Sequence, residues 1–347
     1  MQKYKIGIVG CGYWGPNLVR NFSQNIEVEE VVCCDLNEER LKQMKLIFHN
    51  VKTTTDYEAL LKTDIDGVVI ATPVATHYGL AKQALEHGKH TLVEKPITKT
   101  SSEALELTRI AKKAGKTLMV DHTFEYSTSV RKIKEIIDKK ELGEIFNIHI
   151  TRINLGLFQK DVNVLWDLTP HDISMLRFLL GSEPISARTF AESHVMPNNQ
   201  DTAHVILKFP NNVAAHLHVS WLSPRKIREM TIIGSKKMLV YDDVSQSEKI
   251  KIFDKGVSIE NHGLPPQQYY GSFGDFQLLY RSGDIYIPKI DDREPLKEVS
   301  SHFIECIKTG RNPLSDGYSG YKVMLALEAA QKSLESNGDE VFLDSKE

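Results

Sequence analysis

Residues 4–22, YKIGIVGCGYWGPNLVRNF, run from a short apolar segment through three glycines into an amphipathic one. Few architectures accommodate so tight a passage from strand to helix. Gly10-Cys11-Gly12-Tyr13-Trp14-Gly15 has the spacing G-x-G-x-x-G. In such a turn the first glycine permits the bend and the second lets a pyrophosphate reach the backbone. The third lets the helix pack closely on the strand. Pro16 falls in the first helical turn, where a missing N–H costs little, and the helix start offers its free N–H groups to phosphate. Asp35 closes the next apolar run, EEVVCCD, twenty residues after Gly15. An acid there accepts hydrogen bonds from the adenosine ribose hydroxyls and repels a 2′-phosphate. NAD is therefore expected in preference to NADP. Arg40, which follows the acids of LNEER, is expected to be a solvated helix residue rather than a phosphate clamp.

From Lys3 to Val120 apolar runs alternate with amphipathic stretches. KIGIV (5–9), EEVVCCD (29–35), DGVVIAT (66–72), HTLVE (90–94) and TLMV (117–120) are nearly continuously apolar, as strands buried on both faces of a parallel sheet must be. Thr55 with Glu58, and Thr100 with Glu103, have capping-box spacing. Gly88 and Gly115 stand where helices end in a left-handed residue. Repeated strand–helix–strand units predict a doubly wound sheet. A chain of 347 residues exceeds one ordinary core, so two domains are expected, 1–122 and 123–347. The second reads as α+β. Period-two alternation marks strands at 144–153, 202–209, 213–222 and 228–234. Asn211-Asn212 marks a hairpin turn, residues 255–272 read as an irregular loop, and helices are expected at 296–309 and 318–336.

Composition narrows the function. A hydrophobic fraction of 41%, a charged fraction of 26% and a net charge of −3 are those of a globular protein without general attraction for nucleic acid. No apolar run reaches membrane-spanning length, and no signal peptide is readable before Tyr4. The four cysteines lack metal-ligand spacing. A reduced, cytoplasmic protein is expected.

Glu94-Lys95-Pro96 follows one strand, and Thr72, Pro73 and His77 follow another. In a doubly wound sheet the carboxyl ends of the strands form the ligand crevice, so these residues should border the cofactor. Together with LGEI (142–145) and WDLTPHDISML (166–176), they make the chain resemble the Gfo/Idh/MocA family of NAD(P)-dependent sugar and polyol oxidoreductases. That resemblance implies a Rossmann domain followed by an open, mainly antiparallel sheet with helices on one face. The other face would pair subunits into a homodimer or homotetramer.

Hydride transfer from an alcohol needs a base for the hydroxyl proton. Asp167 and His171 are four apart and share a face if their segment is helical. If Thr169 were the helix N-cap ahead of Pro170, Asp167 would lie in a loop instead. The resemblance implies His171 as general acid/base, Asp167 as its orienting and charge-balancing partner, and Lys95 as a donor to the same hydroxyl. The competing reading of His171 is a buried ring satisfied by Asp172. His77 reads as a residue near the cofactor or a surface residue, and Tyr13 and Trp14 as packing over the nicotinamide side. His216 and His218 read as strand filling. Hydride transfer needs no metal; His171, Asp172 and His149 are the only paper alternative.

The glycine loop and NVLWDLTPHDISML resemble a subgroup acting on nucleotide-linked sugars in polysaccharide and glycoconjugate biosynthesis, at C3 of UDP-N-acetylglucosamine or its uronate. Arg152, Asn154 and Asn163 would contact substrate, the arginine at a diphosphate. Other readings are a free-sugar or inositol dehydrogenase, a glycosidase using NAD transiently, and a non-catalytic NAD-binding sensor.

Overall fold

A computed structural model describes residues 3–160, 162–259 and 278–343. The first sheet holds β1 (Tyr4–Val9), β2 (Val28–Cys34), β3 (Lys52–Thr54), β4 (Gly67–Ile70), β5 (His90–Glu94) and β6 (Leu118–Asp121). All pairs are parallel, in the order β3-β2-β1-β4-β5-β6. Helices α1 (Gly15–Ser23), α2 (Glu38–Ile47), α3 (Tyr57–Leu61), α4 (Val74–Glu86) and α5 (Ser101–Ala114) make the crossovers. Strand order reverses between β1 and β4, which opens a crevice beyond their carboxyl ends.

Local chemistry explains most of the element ends. Thr100 and Glu103 form the expected reciprocal cap on α5, and Gly115 ends it at φ 62°. On α3 the cap is Asp56, whose carboxylate accepts from Ala59 N–H, not Thr55, which stands one residue too early. The four cysteines are buried and free.

After a 3₁₀ turn, Thr123–Tyr126, come α6 (Thr128–Asp138), β7 (Ile145–Ile153) and α7 (Val164–Leu180). Then follow β8 (Ser186–Glu192), β9 (Thr202–Lys208), β10 (Ala214–Ser220), β11 (Ile227–Gly234), β12 (Met238–Asp242), β13 (Ile250–Ile259) and β14 (Leu278–Tyr286). Helices α8 (Pro295–Thr309) and α9 (Gly317–Glu335) and the short β15 (Val341–Phe342) close the fold. The second sheet runs β14-β13-β12-β11-β7-β10-β9-β8-β15. It is antiparallel apart from the β7–β10 pair. Asn211 and Asn212, both near φ 60°, turn β9 into β10 as their sequence predicts. Residues 255–259 belong to β13, not to a loop, because β14 supplies a distant partner that local polarity does not reveal. The rest of that predicted loop, 260–272, lies outside the described residues.

Helices α7 and α9 cover one face of this sheet, burying Ile148, Ile150, Val205, Leu207, Leu217, Met230 and Ile232. The opposite face carries exposed Phe190 and four histidines. The His149 ring stacks on His216 at 5.0 Å, and His204 on His218 at 4.3 Å. Helix α8 returns to the first sheet, where Phe303 packs edge-on against Phe22 in a core shared with Ile6 and Ile8. The proposed boundary after residue 122 thus follows the end of the first sheet, while packing crosses it.

Candidate functional site

The glycine loop divides its labour. Gly10 has φ +95°, and a Cβ there would stand 2.6 Å from the Ala71 carbonyl oxygen; one on Gly15 would stand 2.3 Å from the Gly10 carbonyl oxygen. Neither contact is tolerable, so both glycines are demanded by the turn. A Cβ on Gly12 would meet only Arg40 Nη1, at 3.8 Å, which leaves room for a pyrophosphate against its backbone. Helix α1 has no acid in its first turn and no side-chain cap on Trp14, so its N–H groups face the loop. Asp35 ties this loop to the end of β2: its Oδ2 accepts from Cys11 N–H at 2.7 Å and its Oδ1 from Asn37 N–H at 2.8 Å. Arg40 is exposed on α2, as its sequence context suggests, and also forms an ion pair that the sequence does not announce. Its guanidinium lies 3.6 Å from Asp35 Oδ2, drawn there by the buried carboxylate. The glycine cradle and the acid at the ribose end fit NAD. Tyr13 is 83% exposed and Trp14 38%, both at the mouth of the loop.

Beyond the end of β4, Thr72 Oγ1 meets Thr76 Oγ1 at 2.7 Å, and Pro73 precedes α4 as its cap residue. His77 is buried, which removes the surface alternative. Its ring nitrogens stand 2.9 Å from the Pro96 carbonyl oxygen and 2.7 Å from that of Thr72. Burial holds the ring below the usual histidine range. His77 therefore braces the end of β4 against the Lys95-Pro96 segment, and Glu94 turns towards β6.

Helix α7 resolves the geometry of the proposed acid/base residues. Its N-cap is Asn163, whose Oδ1 accepts from Trp166 N–H at 3.1 Å, so Thr169 is not the cap. Asp167 lies in the first turn and Pro170 within the helix. Lys95 Nζ donates to the Asp167 carbonyl oxygen at 2.7 Å and to its Oδ1 at 3.2 Å. Trp221 Nε1 donates to Asp167 Oδ2 at 3.1 Å. His171 follows one turn later, edge-on to Phe124 with centroids 5.2 Å apart. Its Nδ1 is enclosed and unpartnered. Enclosure, then the charges of Lys95, Arg152 and Arg228, holds it well below the usual histidine range. The ring is thus held in its neutral form.

Asp172 does not satisfy His171. Its Oδ1 accepts from Arg152 Nε at 2.9 Å and Nη2 at 2.7 Å, and the guanidinium lies over Phe124 at 4.5 Å. Arg152 is 4% exposed, so it is spent in the interior and does not reach a diphosphate. Asn163 is likewise occupied, by the cap and by Gln200 Oε1 at 2.9 Å; Asn154, after β7, is half-buried. His149 lies on the opposite face of β7 from Arg152, so the paper metal set of His171, Asp172 and His149 is not assembled. Among the described residues, no group of three or more metal-ligating side chains gathers, and no helix is long and apolar enough to cross a membrane. Sequence reading missed Trp221, which follows β10 and holds Asp167, and Arg228 on β11, whose charge bears on His171.

Residues 4–122 match the family model for Gfo/Idh/MocA oxidoreductases with an NAD-binding Rossmann fold, and residues 130–240 match that family's C-terminal domain. Myo-inositol 2-dehydrogenase of Thermotoga maritima is 25% identical over 348 residues, 95% of this chain and 96% of the relative. UDP-N-acetylglucosamine 3-dehydrogenase of Acidithiobacillus ferrooxidans is 23% identical over 339 residues, 97% of this chain and 99% of the relative. A solved structure of the latter superposes with a TM-score of 0.76, covering 97% of this chain and 99% of that one. GenD2 from gentamicin A biosynthesis, solved with NAD, is 19% identical with a TM-score of 0.82, covering 99% and 97%.

Proposed function

The chain belongs to the Gfo/Idh/MocA oxidoreductase family, and on that premise we propose that it oxidises the C3 hydroxyl of a UDP-linked N-acetylhexosamine or its uronate. The observation that carries the chemistry is the gathering of Lys95, Asp167 and His171 beyond the carboxyl end of β5, in the sheet that also carries the glycine loop. Bound NAD supplies the hydride acceptor. Neutral His171 takes the hydroxyl proton as the carbonyl forms, and Lys95 donates a hydrogen bond to the same oxygen. Asp167, fixed by Trp221, orients Lys95 and balances the positive charge that His171 gains.

The nucleotide part of the reading draws on the resemblance and on Arg228. Lys95 is committed to Asp167 and Arg152 to Asp172. Arg228, opposite Arg152 in the β7–β11 register, contacts Asp243 only at 3.4 Å, is half-buried, and its charge reaches His171. It can turn towards a diphosphate or a sugar carboxylate. Arg228→Ala should raise KM for the UDP-sugar about tenfold or more with little change in kcat, the loss of one charge-assisted bond of about 1.5–3 kcal/mol. Arg152→Ala should instead destabilise the fold by about 3–5 kcal/mol, because it strands Asp172. Reduced-nicotinamide absorbance across UDP-sugars, dTDP-sugars, free sugars and inositols tests the substrate class. Turnover of a free polyol alone would replace the nucleotide-sugar reading.

The open face of the second sheet is proposed to pair copies of the chain as a dimer or tetramer. Its two stacked histidine pairs and exposed Phe190 give this uncovered face apolar and aromatic surface of the kind that marks association. Sedimentation at micromolar concentration should give a mass of two or four chains; a monomer would contradict it.

A further inference from the structure

Glu94 and Asp121 end neighbouring parallel strands and are register partners there. Asp121 is 1% exposed. Its Oδ1 accepts from the Thr123 hydroxyl at 2.7 Å, and its Oδ2 has no partner. Glu94 Oε2 accepts only a long bond, 3.3 Å, from Lys95 N–H, and its Oε1 is enclosed without a partner. As register partners on adjacent parallel strands, the two carboxyl side chains leave the same face of the sheet and bear on each other's charge. Ionised carboxylates accept and never donate, so two enclosed groups that face one another are satisfied only when a proton stands between them. Two adjacent buried negative charges would also repel strongly.

We propose that Glu94 and Asp121 share one proton, and that the resulting singly charged pair positions Lys95 from behind. It holds the Lys95 backbone and balances the ammonium group on the side away from Asp167. The positioning role rests on the reading of Lys95 as a site residue; the shared proton does not. Burial and the mutual contact push Glu94 well above the usual carboxyl range, and burial raises Asp121. The other groups bearing on the pair are the Lys95 ammonium and the Thr123 hydroxyl. The adjacent His122 ring, enclosed with both nitrogens unpartnered, is pushed down to about 3 and stays neutral.

Infrared spectra of the NAD-saturated enzyme at neutral pH read the proton without turnover. Glu125, pushed by burial up to about 8, contributes its own protonated-carboxyl band, so the reading is the difference between wild type and variant. The expected result is one protonated-carboxyl band lost in Glu94→Gln and equally in Asp121→Asn. Each amide still donates to the remaining carboxylate and leaves one negative charge, so the loss of kcat should be much smaller in either single variant than in the double variant. The double variant, without that charge, should lose about 10²-fold in kcat, the size of effect that misplacing a site group produces. Bands unchanged in both single variants would overturn the shared proton. Full activity in the folded double variant would overturn the positioning role while leaving the band result standing.

Discussion

His171→Ala is expected to lower kcat by about 10²–10⁴-fold, the range for loss of a positioned acid or base, with NAD affinity near that of wild type. Lys95→Met should fall as far, because Met fills the same space without a donor. The two readouts separate chemistry from binding: a variant that lost NAD as well would have failed in structure. The pH dependence carries a sign. His171 must be unprotonated to accept the hydroxyl proton, and enclosure with three neighbouring cations lowers its pKa. The acid limb of kcat/KM should therefore lie below the usual histidine range, leaving activity flat as pH falls from 8 towards about 6.5. Stability has the same direction. A buried neutral histidine favours folding above its unfolded pKa and costs stability as pH falls below that value. Because His77 and His122 are also held below the usual range, the fold should weaken on acidification through about pH 6.5.

Gly12→Ala and Gly15→Ala should part company. An added methyl on Gly12 meets only the end of a flexible arginine, so that variant should fold, melt near wild type, and lose NAD affinity by a factor of ten or more as its methyl intrudes on the pyrophosphate position. On Gly15 the methyl would strike the Gly10 carbonyl oxygen. No rotamer relieves a clash with backbone, so α1 must move off β1, and the melting temperature should fall with NAD binding. Calorimetry of both proteins with and without NAD distinguishes the two losses. Equal stability of the two variants would contradict the backbone clash at Gly15, and unchanged NAD affinity in Gly12→Ala would contradict the pyrophosphate position.

Features settled by short-range chemistry were legible in the chain. The glycine loop, Pro16, the Thr100–Glu103 cap and the Asn211-Asn212 turn each depend on residues a few positions apart. The cap of α7 was equally local, Asn163 lying three residues before Trp166, but Pro170 drew attention to Thr169. What stayed hidden depends on partners distant in sequence. β3 has three residues, and β14 is defined by its pairing with β13. Arg152 read as a free cation at a strand end because nothing local links it to Asp172 on α7. Trp221 and Asp121 reach the site through neighbouring strands, and no spacing in the sequence announces that. Arg40 is solvated as its context suggests, but its ion pair with the buried Asp35 at the end of β2 is equally hidden from local reading.

The most direct test uses UDP-N-acetylglucosamine carrying deuterium at C3, with NAD, wild type and His171→Ala. Wild type should yield reduced nicotinamide that carries the label, with a primary isotope effect on its rate, and the variant should yield little product. Unlabelled reduced nicotinamide, or equal rates from both proteins, would contradict hydride removal from C3 with His171 as the base.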